Sequence, residues 1–186
     1  MSETTVRLHK KEVKDFRQSD LVRVALQAIL SEESPIFPKM SFVHNENSIF
    51  QCSEMIKSYR LPTNLKMKFI LWTEFKKAIS IMHQKGYVHG DILMKNIVYD
   101  GVRLRLVDHE IRLKEGNRLR FTYPWVALSD LHRGEVTIDT DQICLNATEL
   151  RLLDNSKYLE FRIECMEQLR GKIFSKQTNS NYQTKG

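Results

Sequence analysis

Glycine is scarce in this chain. Only seven of the 186 residues are glycine, and none precedes Gly86. A glycine-rich loop whose backbone N–H groups close around a phosphate is therefore excluded ahead of that point. Cysteine is rarer still: Cys52, Cys144 and Cys165 form no CxxC pair and no zinc spacing. A disulfide framework and a cysteine-built zinc site are excluded, and reduced, partly buried thiols of a cytosolic protein are expected. No run approaches the ~18 apolar residues of a membrane span. The opening stretch MSETTVRLHKKEVKDF lacks the apolar segment of a secretory signal, so a cytoplasmic location is expected. No internal repeat is visible, and the polar stretch from Ser175 to Gly186 has no apolar periodicity, which predicts disorder there.

Positive charge, by contrast, is in excess. Twenty-nine Lys and Arg against 23 Asp and Glu give a net charge of +6. Such a balance suits an acidic partner: a nucleotide, a nucleic acid, an anionic membrane or an acidic protein. A basic solvated surface has the same composition. No RNP, KH or helix-turn-helix pattern accompanies the charge, so nucleic-acid binding has no support beyond it. The hydrophobic share of 41 % and charged share of 28 % are those of an ordinary globular protein. The length fits one domain, or one domain with two small lobes.

Periodicity gives the element order. Val13, Phe16, Leu21, Val24, Ala25, Ala28 and Ile29 recur at helical spacing, with Ser19 or Asp20 as a cap. Two apolar runs around His44–Asn47 predict a hairpin, Lys39–Val43 against Ser48–Cys52. Thr63 or Asn64 caps a long helix carrying Leu65, Phe69, Trp72, Phe75, Ile79 and Met82, closed by Gly86. Asp100-Gly101 predicts a second hairpin through a type I′ turn. Its outgoing strand alternates, with Val102, Leu104 and Leu106 buried and Arg103 and Arg105 wet. Two helices follow. One carries Ile143, Ala147, Leu150 and Leu153, and the other, over 157–170, carries Leu159, Ile163, Met166 and Leu169. Strands come first and helices dominate later, which makes the fold class α+β.

The chemistry concentrates between Gly86 and Glu110, in GYVHGDILMKNIVYDGVRLRLVDHE. Asp91 follows the long helix in a loop, Asn96 lies five positions on, and Asp108 ends the hairpin's second strand. A hairpin brings its ends together, so Asn96 and Asp108 can meet. An oxygen pair of that kind suits Mg²⁺, and Asp91 is then free to orient or deprotonate a hydroxyl. Phosphoryl transfer asks little more of side chains than positioning, metal and a base.

These residues resemble the catalytic and metal loops of the protein-kinase-like superfamily, H-R-D-x-x-x-x-N followed by D-F-G. His89, Asp91 and Asn96 match the first motif and Asp108 the second, while Gly90 stands in the Arg position. The HGD form is similar to that of lipopolysaccharide kinases and aminoglycoside phosphotransferases. Downstream, Thr122–Leu131 (TYPWVALSDL) is similar to the segment ending in A-P-E, with Ser129 at the Glu position. Asp141 in TDQICLNATELRLL matches the helix Asp that braces the catalytic loop in protein kinases. Ser53–Ile56 (SEMI) resembles the strand-to-hinge segment that binds adenine, which makes Glu54 and Ile56 candidate ATP contacts.

The resemblance covers roughly Phe42 to Leu153 and implies a reduced N-terminal lobe with a short antiparallel sheet, residues 1–56. A mainly helical C-terminal lobe, residues 57–174, and a disordered tail, 175–186, complete the expected organisation. It implies ATP and Mg²⁺ as cofactors, Asp91 as the base, Asn96 and Asp108 as metal ligands, and His89 and Asp141 as structural braces. Lys10 or Lys11 would be the strand lysine that grips the nucleotide. The chain departs from the pattern at the missing glycine loop, at the helix Glu, for which Asp20, Glu32 and Glu33 are poor candidates, and at Asp108-His109-Glu110 in place of D-F-G. Between Asp108 and Thr122, Arg112, Lys114, Arg118 and Arg120 are a candidate contact for an acidic substrate, or a solvated strand. Two functions therefore stay open. One is a minimal kinase acting on protein Ser/Thr hydroxyls, as in trimmed bacterial and viral effector kinases. The other is a pseudokinase module that binds a partner kinase or signalling protein.

Overall fold

The computed structural model describes residues 8–13, 18–45, 48–107, 112–113, 123–128 and 136–183. Asp108, the rest of the basic segment apart from Arg112 and Leu113, and Ser129 lie outside these residues. The described chain mixes short antiparallel sheets with a mainly helical remainder. Strand β1, Leu8–Val13, precedes helix α1, Gln18–Glu33. Strands β2, Met40–Asn45, and β3, Ser48–Glu54, form the expected hairpin. β1 pairs with the far edge of β3, so the sheet order is β1-β3-β2.

Two sequence expectations are corrected here. Residue 13 ends a strand, and the helix begins at Gln18. Among the described side chains of α1, Leu26, Gln27 and Leu30 are buried, whereas Ala25 and Ile29 are exposed. The helix turns toward Ile36, Phe37 and Met40, which are all buried. Over residues 25–30 the inward stripe is therefore displaced by one residue from the stripe chosen by apolar content.

Helix α2, Leu65–Gln84, is capped by Asn64, whose side chain accepts the Met67 N–H at 3.2 Å. Gly86 adopts φ +80° just beyond its end, the left-handed conformation that closes a helix without a Cβ penalty. Trp72, Phe75, Ile79 and Met82 form the centre of the core, each 0 % exposed. Leu65 and Phe69, expected on the same face, are 59 % and 55 % exposed. The first turns of α2 reach beyond the core, so helical spacing there selects a stripe that nothing described covers.

Strands β4, Tyr87–Val88, β5, Ile97–Tyr99, and β6, Leu104–Leu106, follow. β4 pairs with β7, Arg112–Leu113, and β5 pairs with β6. The Asp100-Gly101 connection is a four-residue loop from Asp100 to Arg103, not a type I′ turn. Gly101 has φ +99°, but Asp100 does not take the positive φ that a type I′ turn demands. The Asp100 Oδ1 accepts the N–H groups of Val102 and Arg103 at 2.9 and 2.8 Å, which pins the wider loop.

Arg105 is buried rather than wet, and Val102 is 69 % exposed. The Arg105 guanidinium meets Glu54 at 2.7 Å and Asp100 at 3.3 Å. Two carboxylates thus offset the desolvation of a cation.

The short helix α3, Pro124–Leu128, and the long helices α4, Ile138–Leu153, and α5, Asn155–Gln183, close the chain. A reciprocal Thr137–Thr140 capping box starts α4. In α5 the inward positions are Tyr158, Phe161 and Cys165, while Leu159, Ile163 and Met166 point outward at 47 %, 59 % and 39 % exposure. Trp125 sets this phase, because its ring meets those of Tyr158 and Phe161 at 6.1 Å each. α5 is helical to Gln183, where the polar composition predicts disorder from Ser175. Once nucleated, a helix gains one hydrogen bond per added residue and needs no apolar face to extend. All three cysteines are buried and unbonded. No described helix is long and apolar enough to cross a membrane.

Candidate functional site

The loop from His89 to Asn96 is held by α4. Asp141, fully buried, accepts the backbone N–H of His89 at 2.8 Å and of Gly90 at 2.6 Å. Its Oδ2 also meets the His83 Nε2 at 2.9 Å. A carboxylate in the first turn of a helix is favoured by the helix dipole, and these donors replace its lost hydration. Two turns along α4, the Thr148 hydroxyl donates to the Ile92 carbonyl at 2.9 Å. The same helix therefore grips the loop twice.

Gly90 is fixed by its surroundings. Its φ is +80°, and an added Cβ would lie 2.8 Å from a Val136 methyl. Any side chain at this position, an arginine included, would be strained and would have to displace Val136.

Asp91 stands at the loop's centre with both oxygens engaged. Oδ1 accepts from the Tyr123 hydroxyl at 2.7 Å. Oδ2 accepts from the Asn96 Nδ2 at 2.8 Å and faces the Lys95 ammonium at 3.1 Å. Burial pushes the Asp91 carboxyl up, but the hydrogen bonds from Tyr123, Lys95 and Asn96 outweigh it, so its pKa lies below the ordinary value. Burial and the Asp91 carboxylate together raise the Tyr123 phenol to about 12. Lys95 is raised through its hydrogen bond to Asp91. The Asp91 N–H donates to the His89 Nδ1 at 3.2 Å, which fixes that nitrogen as the unprotonated one.

Asn96 Nδ2 also donates to the Asp91 carbonyl at 2.9 Å. Both of its donor hydrogens thus point into the loop, and the amide oxygen makes no bond to a described residue. The hairpin then brings position 107 back, since the Val107 N–H donates to the Asn96 carbonyl at 2.8 Å. Asp108 is the next residue in the chain. An amide oxygen with no bond to a described residue fits the oxygen chemistry of Mg²⁺. Among the described residues no three His, Cys, Asp or Glu side chains converge.

The remaining predicted site residues are placed as follows. Lys10 lies opposite Cys52, and Lys11 opposite Gln51, in the β1–β3 pairing. Glu54 is committed to Arg105 and to the Lys39 N–H, which it accepts at 3.1 Å. Ile56 is half-buried just beyond β3. Glu33 pairs with Lys85.

The sequence reading missed four participants. Lys95 stands four residues from Asp91, which is a legible ion-pair spacing, and Thr148 stands seven from Asp141, two helical turns on the same face. Tyr123 and His83 come from distant segments and leave no signal in spacing.

No protein-family profile matches the chain. No curated protein matches it by sequence. Among solved structures 207 chains match, so the fold is a common one and carries no function by itself. One is the kinase PK-1 of Cydia pomonella granulovirus, with a TM-score of 0.63 at 21 % identity. The match covers 82 % of this chain and 61 % of the viral one. The chain therefore shares the kinase-like fold over less than two thirds of that protein's length.

Proposed function

We propose that this protein is a small atypical kinase that moves the γ-phosphoryl group of ATP to a protein serine or threonine hydroxyl. The observation that carries the reading is the state of Asp91, half-buried in a loop braced by Asp141 and joined to Asn96. The proposal assigns Asp91 to the acceptor hydroxyl and Asn96 with Asp108 to Mg²⁺. Lys10 or Lys11 is assigned to the nucleotide phosphates, and Ile56 with the Glu54 backbone to the adenine. Bound Mg²⁺-ATP supplies the phosphoryl group and neutralises its charge.

A carboxylate with a lowered pKa is a weak base, yet it suits this reaction. A loose phosphoryl-transfer transition state needs the hydroxyl oriented more than it needs it deprotonated early. Asp91 serves by aiming the hydroxyl and taking its proton late. The brace from Asp141 and Thr148 keeps that aim within the tolerance that positioning demands. The expected setting is the cytoplasm, with a reduced N-terminal lobe over a helical C-terminal lobe.

A second reading, a pseudokinase that regulates a partner protein, draws support from Glu54 and Glu33. Both are engaged in ion pairs, Glu54 with Arg105 and Glu33 with Lys85. Radiolabelled ATP separates the two. The kinase reading expects label on casein that disappears with Asp91→Ala. Absence of label with the wild-type chain, or label that persists in that variant, rejects it.

A further inference from the structure

Between Glu54 and Glu74 the chain carries no acidic residue and four cations, Lys57, Arg60, Lys66 and Lys68. Six of the twelve large apolar side chains exposed among the described residues fall in the same stretch: Met55, Tyr59, Leu65, Met67, Phe69 and Ile70. Such clustering differs from the single exposed apolar residues that every surface scatters. Lys68 is committed to the Leu152 carbonyl at 3.1 Å, and the other three cations are exposed.

The geometry concentrates these groups at the start of α2. Leu71, Trp72 and Phe75 face the core, so Leu65, Phe69 and Ile70 share the outer face of the first turns. On the helical wheel Lys66 falls between Phe69 and Ile70. The lead-in adds Arg60 and Lys57, whose ammonium lies over the Tyr59 ring at 4.9 Å. The patch ends where Glu74 pairs with Lys77 at 2.7 Å.

We infer that the start of α2 and its lead-in form a docking surface for an anionic membrane. A second copy of the chain would bring the same cations against each other. The centre of a protein–protein interface is depleted in lysine, whereas here Lys66 lies at the centre of the apolar patch. Nucleic acid would meet the cations and leave Leu65 and Ile70 without a partner. A lipid surface takes both. Leu65, Phe69 and Ile70 enter the boundary between headgroups and acyl chains. The Lys66 stem lies along them, and its ammonium reaches the lipid phosphates. α2 runs 20 residues from this patch toward the loop that holds Asp91, about 30 Å at 1.5 Å per residue. The surface assigned to lipid and the residues assigned to chemistry thus lie at opposite ends of one helix. The inference stands apart from the kinase reading, since it needs only the exposed apolar side chains and the cations.

The test is co-sedimentation of the full chain with vesicles of phosphatidylcholine, alone or mixed with phosphatidylserine. Binding is expected to the mixed vesicles and should weaken as salt rises. Lys66→Gln should weaken it about fivefold, the share of one cation near an anionic surface. Phe69→Ser combined with Ile70→Ser should weaken it about tenfold or more. Leu159→Ser combined with Ile163→Ser, at exposed positions of α5, should leave it unchanged. A second readout is a gain of signal: in Phe69→Trp the added indole emission should shift to the blue on mixed vesicles. No binding to mixed vesicles overturns the inference, as does equal binding to phosphatidylcholine alone. Full binding by the Phe69→Ser, Ile70→Ser variant, or an unshifted indole in vesicle-bound Phe69→Trp, overturns it too. Self-association, or binding of an acidic peptide or an oligonucleotide, that replaces vesicle binding and is lost in the same double variant overturns it in favour of that partner.

Discussion

The loop around Asp91 and the three-stranded sheet ahead of it are secured by different means. The loop is tied by buried bonds to α4: Asp141 takes two backbone N–H groups and His83, and Thr148 holds the Ile92 carbonyl. The sheet and α1 are joined to the rest through the apolar contacts of Leu30, Ile36 and Phe37 and through two ion pairs, the buried Arg105 with Glu54 and the half-exposed Lys85 with Glu33. Buried, fully paired groups hold one geometry and are costly to disturb. Exposed pairs are screened by salt and contribute little. Asp91 and Asn96 thus sit in a loop held by buried bonds, and Glu54, assigned to the nucleotide, sits in an ion pair.

Substitutions that break this contrast should show it directly, and Asp141→Ala is expected to cost the most. It strands two buried N–H groups and removes the partner of His83, a loss of about 3–5 kcal/mol in urea unfolding. Gly90→Ala comes next at about 2–3 kcal/mol, since it combines a positive φ with a contact under 3 Å to Val136. Arg105→Met should cost about 1–2 kcal/mol, because Glu54 and Asp100 are near enough to water to rehydrate. Lys85→Met should cost less than about 1 kcal/mol, and added salt should erase the difference. A sheet variant as damaging as Asp141→Ala would remove the contrast.

The pH dependence sharpens the same point. The folded Tyr123 pKa, about 12, is raised above the ordinary 10.0, so its contribution is complete below pH 10 and is lost as pH rises through 12. The Asp91 pKa is lowered, so its contribution is present above the ordinary 3.8 and is lost as pH falls through the folded value. Denaturation followed from pH 7 to 12 should show a shallower alkaline limb in Tyr123→Phe than in Arg105→Met, the remainder coming from the buried Cys144 thiol, which burial also raises to about 12.

Much of this was legible in the sequence, for physical reasons that differ by element. α2, the β2–β3 hairpin and the Asp91–Asn96 spacing follow from local rules: a cap at Asn64, a left-handed glycine at 86, alternation around His44–Asn47. The faces of α1 and α5 did not follow. Both helices carry apolar residues on two sides, and only the neighbours, Phe37 in one case and Trp125 in the other, decide which stripe turns inward. Arg105 was misplaced because alternation ignores ion pairing, and its partner Glu54 lies 51 residues away. Tyr123 was invisible for the same reason: its bond to Asp91 spans 32 residues and follows no period.

The most direct test of the account is Mg²⁺-dependent ATP binding, measured as a rise in melting temperature. A ligand at a hundred times its Kd stabilises by about 2.7 kcal/mol, which is readily detected in a chain of this size. The account predicts a rise that requires Mg²⁺ and ATP together and disappears in Asp108→Ala. No rise at millimolar Mg²⁺-ATP, or the same rise in Asp108→Ala, would contradict it.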